Sequence, residues 1–237
     1  MKQSIFDKIS SQWWDKNGPM KMLHSMHETR MLFIKERIIN KYQQLGSFRN
    51  ILSKKKILDL GCGGGILSET LAQEKANIMS IDSSKELIKE AKNRAKLKNL
   101  KIDYRCENIK SIKDKNIKFD IILCLEVIEH VEDFKYFIKT AFNCLGRNGI
   151  IILSTINKSY LSYITTILLA EKVFKLVPSD THSWNMYIRP DEILNLADES
   201  NLVLDKLKGL AAIPTFNGFK WVRINNTKVN YIISLTN

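Results

Sequence analysis

The segment KKKILDLGCGGG (residues 54–65) is a short apolar run that leads directly into a glycine-rich turn. The residues after it, ILSETLAQEKA (66–76), have the spacing of an amphipathic helix. In α/β sheets, a glycine turn between a strand and a helix is where nucleotides bind. Glycine allows the backbone to approach a ligand closely and to adopt angles that a Cβ would forbid. The segment therefore predicts an α/β fold with a nucleotide-like ligand at this turn.

Six more strand-like runs follow, which makes seven in total: 77–82, 101–108, 119–126, 149–155, 202–209 and 229–236. Short apolar strands that alternate with helical segments favour a parallel sheet covered on both faces. We therefore expect a doubly wound, Rossmann-like, mostly parallel seven-stranded sheet. A helical preface (1–50) and a helical insertion after the fifth strand (156–189) complete a single domain, 1–237. The helix after the second strand is predicted to begin with a capping box, Ser83 as N-cap and Glu86 at its third position.

The composition indicates a globular protein. With 44% hydrophobic and 26% charged residues, 10 glycines and 4 prolines, collagen-like and disordered classes are excluded. The four cysteines lack metal-binding spacing, which favours reduced thiols and a cytoplasmic location. The net charge of +12 permits attraction to nucleic acid or to an anionic membrane without identifying either.

Two acidic residues near the glycine turn narrow the ligand. Asp82 ends the second strand, where a carboxylate can accept hydrogen bonds from both ribose hydroxyls; the alternative is a helix cap. Ile66 stands where the dinucleotide fingerprint has its third glycine, and Asp59 would oppose a pyrophosphate. Together these features favour S-adenosylmethionine over a dinucleotide.

A second cluster, Glu126, Glu129 and His130, follows the fourth strand. If a helical turn begins at Glu126, the three side chains share one face. They could bind Mg²⁺, they could include a Glu129–His130 general-base pair, or they could cap a helix. The residue types alone leave these three interpretations open.

Further motifs carry a resemblance over nearly the whole chain. With ILDLGCGGG (57–65), the chain resembles the ubiquinone-biosynthesis O-methyltransferase family of class I S-adenosylmethionine-dependent methyltransferases. The matching segments are SQWWD (11–15), LHSMHETR (23–30), CLEVIEHVED (124–133), STINKS (154–159), VPSDTHSW (177–184) and VNYI (229–232).

The resemblance implies a set of functional residues. Cofactor contacts would be Arg30, Gly61, Asp82 and Leu125, where Leu125 departs from the methionine that members often have. For the acidic cluster, the resemblance implies that Glu126, Glu129 and His130 bind Mg²⁺ and that Glu129 and His130 act in acid–base catalysis. His182 is a second candidate for the catalytic base. The implied substrates are phenol and catechol hydroxyls of polyprenylated ubiquinone precursors, of the 2-polyprenyl-6-hydroxyphenol and 3-demethylubiquinol type.

The insertion segment SYLSYITTILLAEKVFKLVP (159–178) has apolar residues at helical spacing with lysines beside them. It fits either a lid helix or an interfacial helix on anionic lipid. Together with the charge and the resemblance, it predicts peripheral association with the inner membrane. A ubiquinone-biosynthesis complex is a further expected partner, and nucleic acid is not expected.

Two other functions are weighed against this one. The charge of +12 motivates a tRNA or rRNA methyltransferase, but LEVIEH (125–130) stands where amino-methylating enzymes of that kind usually have [DN]PP[YF]. A non-catalytic S-adenosylmethionine-binding protein is the other alternative, and the intact acidic cluster argues against it.

Overall fold

The computed structural model describes residues 5–166, 184–216 and 218–237. Within them, eight strands form one sheet in the order β3-β2-β1-β4-β5-β8-β6-β7. The strands are β1 Lys56–Leu60, β2 Asn77–Asp82, β3 Asp103–Cys106, β4 Phe119–Leu125, β5 Leu145–Ile156, β6 Val203–Thr215, β7 Gly218–Ile224 and β8 Asn230–Thr236. Strands β3, β2, β1, β4 and β5 pair in parallel, and β8, β6 and β7 continue the sheet in antiparallel pairings. The predicted doubly wound architecture is confirmed.

The predicted number of seven strands is wrong, because β7 was missed. β6 runs on to Thr215 and turns back into β7 as a hairpin, in which Pro214 is opposite Phe219. The sequence interpretation assigned no strand between residues 209 and 229, because a proline and a glycine interrupt the two runs of β-forming residues there. β7 lies at the edge of the sheet, where its exposed Lys220 and Arg223 discourage pairing with another chain.

Helices cover both faces of the sheet. They are α1 Ile5–Lys8, α2 Lys21–Lys41, α3 Phe48–Lys54, α4 Ile66–Gln73, α5 Lys85–Leu97, α6 Ile109–Asp114, α7 Phe134–Asn143, α8 Tyr160–Ser162 and α9 Pro190–Asp198. Successive strand residues point to opposite faces. In β1, Ile57 therefore packs in the cluster that contains α2 and α3, whereas Leu58 packs in the cluster that contains α7 and α9. Burial on both faces explains why the central strands β1 and β4 are mostly apolar.

The start of α5 corrects a detail of the sequence interpretation. Ser84, not Ser83, is the N-cap, and its hydroxyl accepts a hydrogen bond from the Leu87 amide at 3.1 Å. The Asp82 carboxylate accepts a hydrogen bond from the Ser84 amide at 2.9 Å, and this turn delays the helix by one residue. Leu87, Ile88, Ala91 and Ala95 are buried and form the apolar face of α5.

The insertion is described only in part. α8 begins it, with Ser159 as N-cap, and Tyr160 in its first turn is 84% exposed. His182 and the lysines and apolar residues of 167–178 lie outside the described residues. None of the helices within 5–166, 184–216 and 218–237 is long and apolar enough to cross a bilayer.

Candidate active site

A cavity of about 680 Å³ lies at the carboxyl ends of β1, β2 and β4. This is where open α/β sheets bind their ligands. The four predicted cofactor residues, Arg30, Gly61, Asp82 and Leu125, all line it. Glu126, Glu129 and His130 line it too, so the fold brings every predicted site residue within the described chain to one cavity.

The glycine turn packs against the N-terminal segment of the same chain. The Trp13 indole lies across Gly63 and Gly64 so closely that a Cβ on either glycine would overlap its ring. The Trp14 indole Nε1 donates a hydrogen bond to the Gly64 carbonyl at 3.0 Å. These two glycines therefore make room for a tryptophan, a role that the sequence interpretation did not anticipate. Cys62 is buried, which raises the pKa of its thiol and fits a small packing residue.

Asp82 is held in position by the backbone around it. Its Oδ2 accepts a hydrogen bond from the Gly63 amide, and its Oδ1 accepts one from the Ser84 amide, both at 2.9 Å. Each oxygen keeps a further lone pair for a ligand hydroxyl. Burial raises the pKa of this carboxyl above its ordinary value, and the backbone hydrogen bonds oppose that rise. The arrangement fits a carboxylate that binds a ribose.

Arg30 is a buried cation without its full set of partners. It is 3% exposed, and its Nη2 donates to the Leu23 carbonyl at 3.1 Å. Its Nη1 lies 3.9 Å from Glu126 Oε1, which is an ion pair too long for a hydrogen bond. In the described part of the chain, neither Nε nor Nη1 has a hydrogen-bond acceptor. Orphaned guanidinium donors in a cavity fit the binding of a ligand carboxylate.

The two glutamates are held by hydroxyl groups at the end of β5. Ser154 Oγ donates to Glu126 Oε1 at 2.6 Å, and Thr155 Oγ1 donates to Glu129 Oε2 at 2.8 Å. Glu129 is 4% exposed. Burial, reinforced by the neighbouring Glu126, raises its pKa well above the ordinary value.

The helical turn predicted to begin at Glu126 is wrong. Glu126 has a left-handed φ of +55°, and the turn that follows is a 3-10 turn, Ile128–His130. The Glu126 amide still bonds to the Ser154 carbonyl at 3.0 Å, so the chain leaves β4 late and must turn sharply. As a result, Glu129 is buried, whereas His130 is exposed and packs edge-on against Phe6, with 5.0 Å between ring centroids.

The predicted Mg²⁺ site does not fit this arrangement. In the residues that the structure describes, no three His, Cys, Asp or Glu side chains gather closely enough to hold a metal ion. Glu126 faces the cation Arg30, and Glu129 lies in a buried environment that favours its neutral form. A divalent ion prefers ionised oxygen ligands.

Apart from Arg30 on α2, the sequence interpretation did not anticipate which residues of the N-terminal helices line the cavity. Phe6, Trp13 and His27 line it beside Arg30. His27 Nε2 lies 2.8 Å from Thr70 Oγ1, and burial, with a smaller effect of Arg30, lowers its pKa to about 4. The paired tryptophans and the two histidines of LHSMHETR (23–30) could have drawn attention to this region. Their spacing in the sequence, however, does not show which residues they contact.

Comparisons with known proteins now bear on this site. A family model described as a methyltransferase domain matches residues 22–207. The chain is 42% identical to the ubiquinone biosynthesis O-methyltransferase of Pelagibacter ubique over 96% of its length and 93% of that protein. It is 36% identical to the enzyme of the same name from Coxiella burnetii, over 98% and 93%. The chain belongs to the ubiquinone biosynthesis O-methyltransferase family.

Solved structures agree at the level of the fold. A plantazolicin methyltransferase in complex with a substrate analogue and S-adenosylhomocysteine aligns with a TM-score of 0.64 at 18% identity, covering 97% of this chain and 89% of that one. The magnesium protoporphyrin IX methyltransferase of Synechocystis with bound S-adenosylmethionine aligns at 0.55 and 14%, covering 100% and 99%. The methyltransferase domain and the family membership make this chain an S-adenosylmethionine-dependent O-methyltransferase, and the relatives give no support to an RNA substrate.

Proposed function

We propose that this protein methylates phenol and catechol hydroxyls of polyprenylated ubiquinone precursors, of the 2-polyprenyl-6-hydroxyphenol and 3-demethylubiquinol type. The observation that carries the proposal is the near full-length similarity to ubiquinone biosynthesis O-methyltransferases. The cavity supports it, because polar and acidic side chains and apolar side chains both line it. The apolar ones include Ile5, Phe6, Val131, Phe137 and Met186.

In this proposal, the polar side chains of the cavity position the cofactor. When bound, S-adenosylmethionine supplies a methyl group that its sulfonium already activates. Asp82 accepts hydrogen bonds from the ribose hydroxyls, Arg30 binds the carboxylate of the methionine moiety, and Gly61 and Leu125 line the adjoining surface. Because one cavity holds both the cofactor and the acceptor hydroxyl, methyl transfer takes place between oriented groups within one complex and needs no collision in solution.

The proton of the acceptor hydroxyl has two candidate recipients, His130 and Glu129. As the phenol oxygen forms a bond to the methyl carbon, the bond from that carbon to sulfur breaks and the hydroxyl proton moves to the His130 imidazole. Glu129, whose pKa is raised well above its ordinary value by burial, is the second candidate. His182 lies outside the described residues, and a part for it stays a prediction.

Methyl transfer from labelled S-adenosylmethionine to a short-chain demethylubiquinol tests the proposal, with bulk tRNA as the competing acceptor. We expect transfer to the quinol and none to tRNA; the reverse result would contradict the proposal. Repeating the assay with EDTA tests the Mg²⁺ prediction separately. Since the described residues do not gather three metal ligands, no step above passes through a metal, and transfer that survives EDTA agrees with that mechanism.

A second proposal concerns where the enzyme meets its apolar substrate. Tyr160, Tyr163 and Ile164 are 84%, 37% and 46% exposed beside Lys158, at the start of the insertion. Aromatic side chains next to a lysine suit the head-group region of an anionic bilayer. We therefore propose peripheral contact with the inner membrane through this surface. A ubiquinone-biosynthesis complex stays a prediction.

Sedimentation with anionic vesicles tests the membrane contact. Tyr160→Ser together with Ile164→Ser should reduce the bound fraction several-fold at low salt, because the variant loses apolar side chains that would insert between head groups. The matched control is Leu32→Ser, an exposed leucine (53%) on α2. Equal binding of wild type and the double variant would contradict the proposal.

A further inference from the structure

Trp13 is the one aromatic side chain that lies on the glycine turn and also lines the cofactor cavity, among the residues that the structure describes. It is 6% exposed. Its position is set from three sides. The ring rests on Gly63 and Gly64, the Trp13 carbonyl lies 2.9 Å from His24 Nε2, and Phe6 packs edge-on at 6.2 Å between ring centroids. A side chain held this firmly at a binding cavity calls for a role beyond filling space.

The indole N–H of Trp13 is the unusual feature. It is buried, and within the described chain it has no hydrogen-bond acceptor. A buried donor without an acceptor destabilises the folded protein. The neighbouring Trp14 differs, because its Nε1 donates to the Gly64 carbonyl. The two adjacent tryptophans therefore separate into one with a structural hydrogen bond and one whose donor is unused.

Only one other residue lining the cavity has orphaned buried donors in the described structure. Arg30 Nε and Nη1 lack acceptors, as Trp13 Nε1 does. The remaining charged groups of the cavity, among them Asp59, Asp82 and Glu126, are acidic and suit the cationic parts of a ligand. An anionic group is what the orphaned donors require. S-adenosylmethionine carries a single one, its carboxylate.

We infer that Trp13 is a further cofactor-binding residue, whose indole N–H donates a hydrogen bond to the carboxylate of the methionine moiety beside Arg30. The indole supplies a neutral, directional donor, and Arg30 supplies the charge. The three buried donors have no hydrogen-bond acceptor among the described residues, and the carboxylate of the cofactor would supply one. Trp13 thereby makes recognition of the amino-acid end of the cofactor depend on the N-terminal segment.

Calorimetric binding of two ligands tests this inference without any methyl acceptor, so its outcome is independent of the proposed substrate. The ligands are S-adenosylmethionine and decarboxylated S-adenosylmethionine, which differ in the carboxylate alone. Trp13→Phe keeps an aromatic ring on the glycines and removes the N–H. We expect its Kd for S-adenosylmethionine to rise about tenfold or more, as for loss of a hydrogen bond to a charged group, and its Kd for the decarboxylated ligand to change less than twofold.

The matched control is Trp14→Phe, which removes the other indole N–H and should change both affinities by the same factor. If Trp13→Phe weakened the binding of both ligands equally, Trp13 would be a packing residue and the inference would be overturned. Unchanged affinity for both ligands would also overturn it. If Trp13→Phe does not fold, 3-benzothienylalanine at position 13 keeps the bicyclic shape with sulfur in place of N–H. The same loss, confined to the carboxylate ligand, is expected for it.

Discussion

At the scale of single residues, Asp59 shows how burial near the cavity affects a carboxyl. It lies one residue before the end of β1 and is almost completely buried, and Ser68 Oγ donates a hydrogen bond to its Oδ2 at 2.5 Å. Burial, with a smaller contribution from Asp82, raises its pKa from 3.8 to about 7. The folded state therefore binds the proton more tightly than the unfolded chain does. The stability that the protonated Asp59 carboxyl contributes is fully present below about pH 4 and declines as the pH rises towards 7.

Asp59→Asn should remove this pH dependence, because the amide keeps an acceptor for Ser68 and carries no charge. The free energy of unfolding of the variant, relative to wild type, should increase between pH 5 and pH 8. The rise in pKa from 3.8 to about 7 sets an upper limit of about 4 kcal/mol. Urea unfolding without cofactor at several pH values measures it. Thr140→Ser, a substitution between two neutral side chains at a buried position of α7, is the control and should give a flat difference because neither hydroxyl is charged in this pH range. A flat difference for Asp59→Asn as well would contradict the argument.

At the scale of elements, the turn between β1 and α4 joins local backbone strain to long-range packing. Gly65, the N-cap of α4, has a φ of +91°, and a Cβ there would overlap the Tyr104 hydroxyl from β3. Tyr104 is 5% exposed and packs with Ala91 and Ala95 of α5. The turn therefore depends on a residue about forty positions further along the chain.

Gly65→Ala should lower the free energy of unfolding by about 2–4 kcal/mol, part from the left-handed φ and part from the clash with Tyr104. In a Tyr104→Phe background the same substitution should cost about 1 kcal/mol less, because the hydroxyl that meets the new methyl group is gone. Chemical denaturation of the four proteins completes the double-mutant cycle. An identical cost in both backgrounds would show that backbone strain alone explains the effect.

The elements also mark the limit of what the sequence could predict. Short apolar runs located seven strands correctly, because burial on both faces of the sheet makes the central strands apolar almost without interruption. β7 escaped because an edge strand after a proline-containing turn carries polar residues. Glu126, Glu129 and His130 were found as a group, yet their shared helical face was wrong, since the left-handed turn at Glu126 arises from its pairing with Ser154. Contacts such as Trp13 on Gly63 involve residues fifty positions apart, and no local pattern encodes them.

At the scale of the whole molecule, the N-terminal segment connects two sides of the cavity, the turn after β2 and the turn after β4. Asp7 Oδ1 accepts a hydrogen bond from the Ser84 hydroxyl at 2.5 Å, and Phe6 packs on His130. The N-terminal segment thus bridges the strand end that carries Asp82 and the turn that follows β4. A ligand in this cavity contacts elements from the whole parallel half of the sheet, so its binding should stabilise the fold as one unit.

S-adenosylhomocysteine at about one hundred times its Kd should therefore raise the Tm by about 5–10 °C, since such saturation adds about 2.7 kcal/mol to the free energy of unfolding. Asp82→Ala should abolish this ligand-induced rise, whatever the Tm of the unliganded variant, because both carboxylate oxygens that would accept the ribose hydroxyls are lost. Thermal scanning with and without ligand measures the rise directly. Asp103→Ala, at the exposed start of β3, is the control and should keep it. A full rise in Asp82→Ala would exclude Asp82 from cofactor binding and leave the carboxylate its turn-forming hydrogen bonds to Gly63 and Ser84.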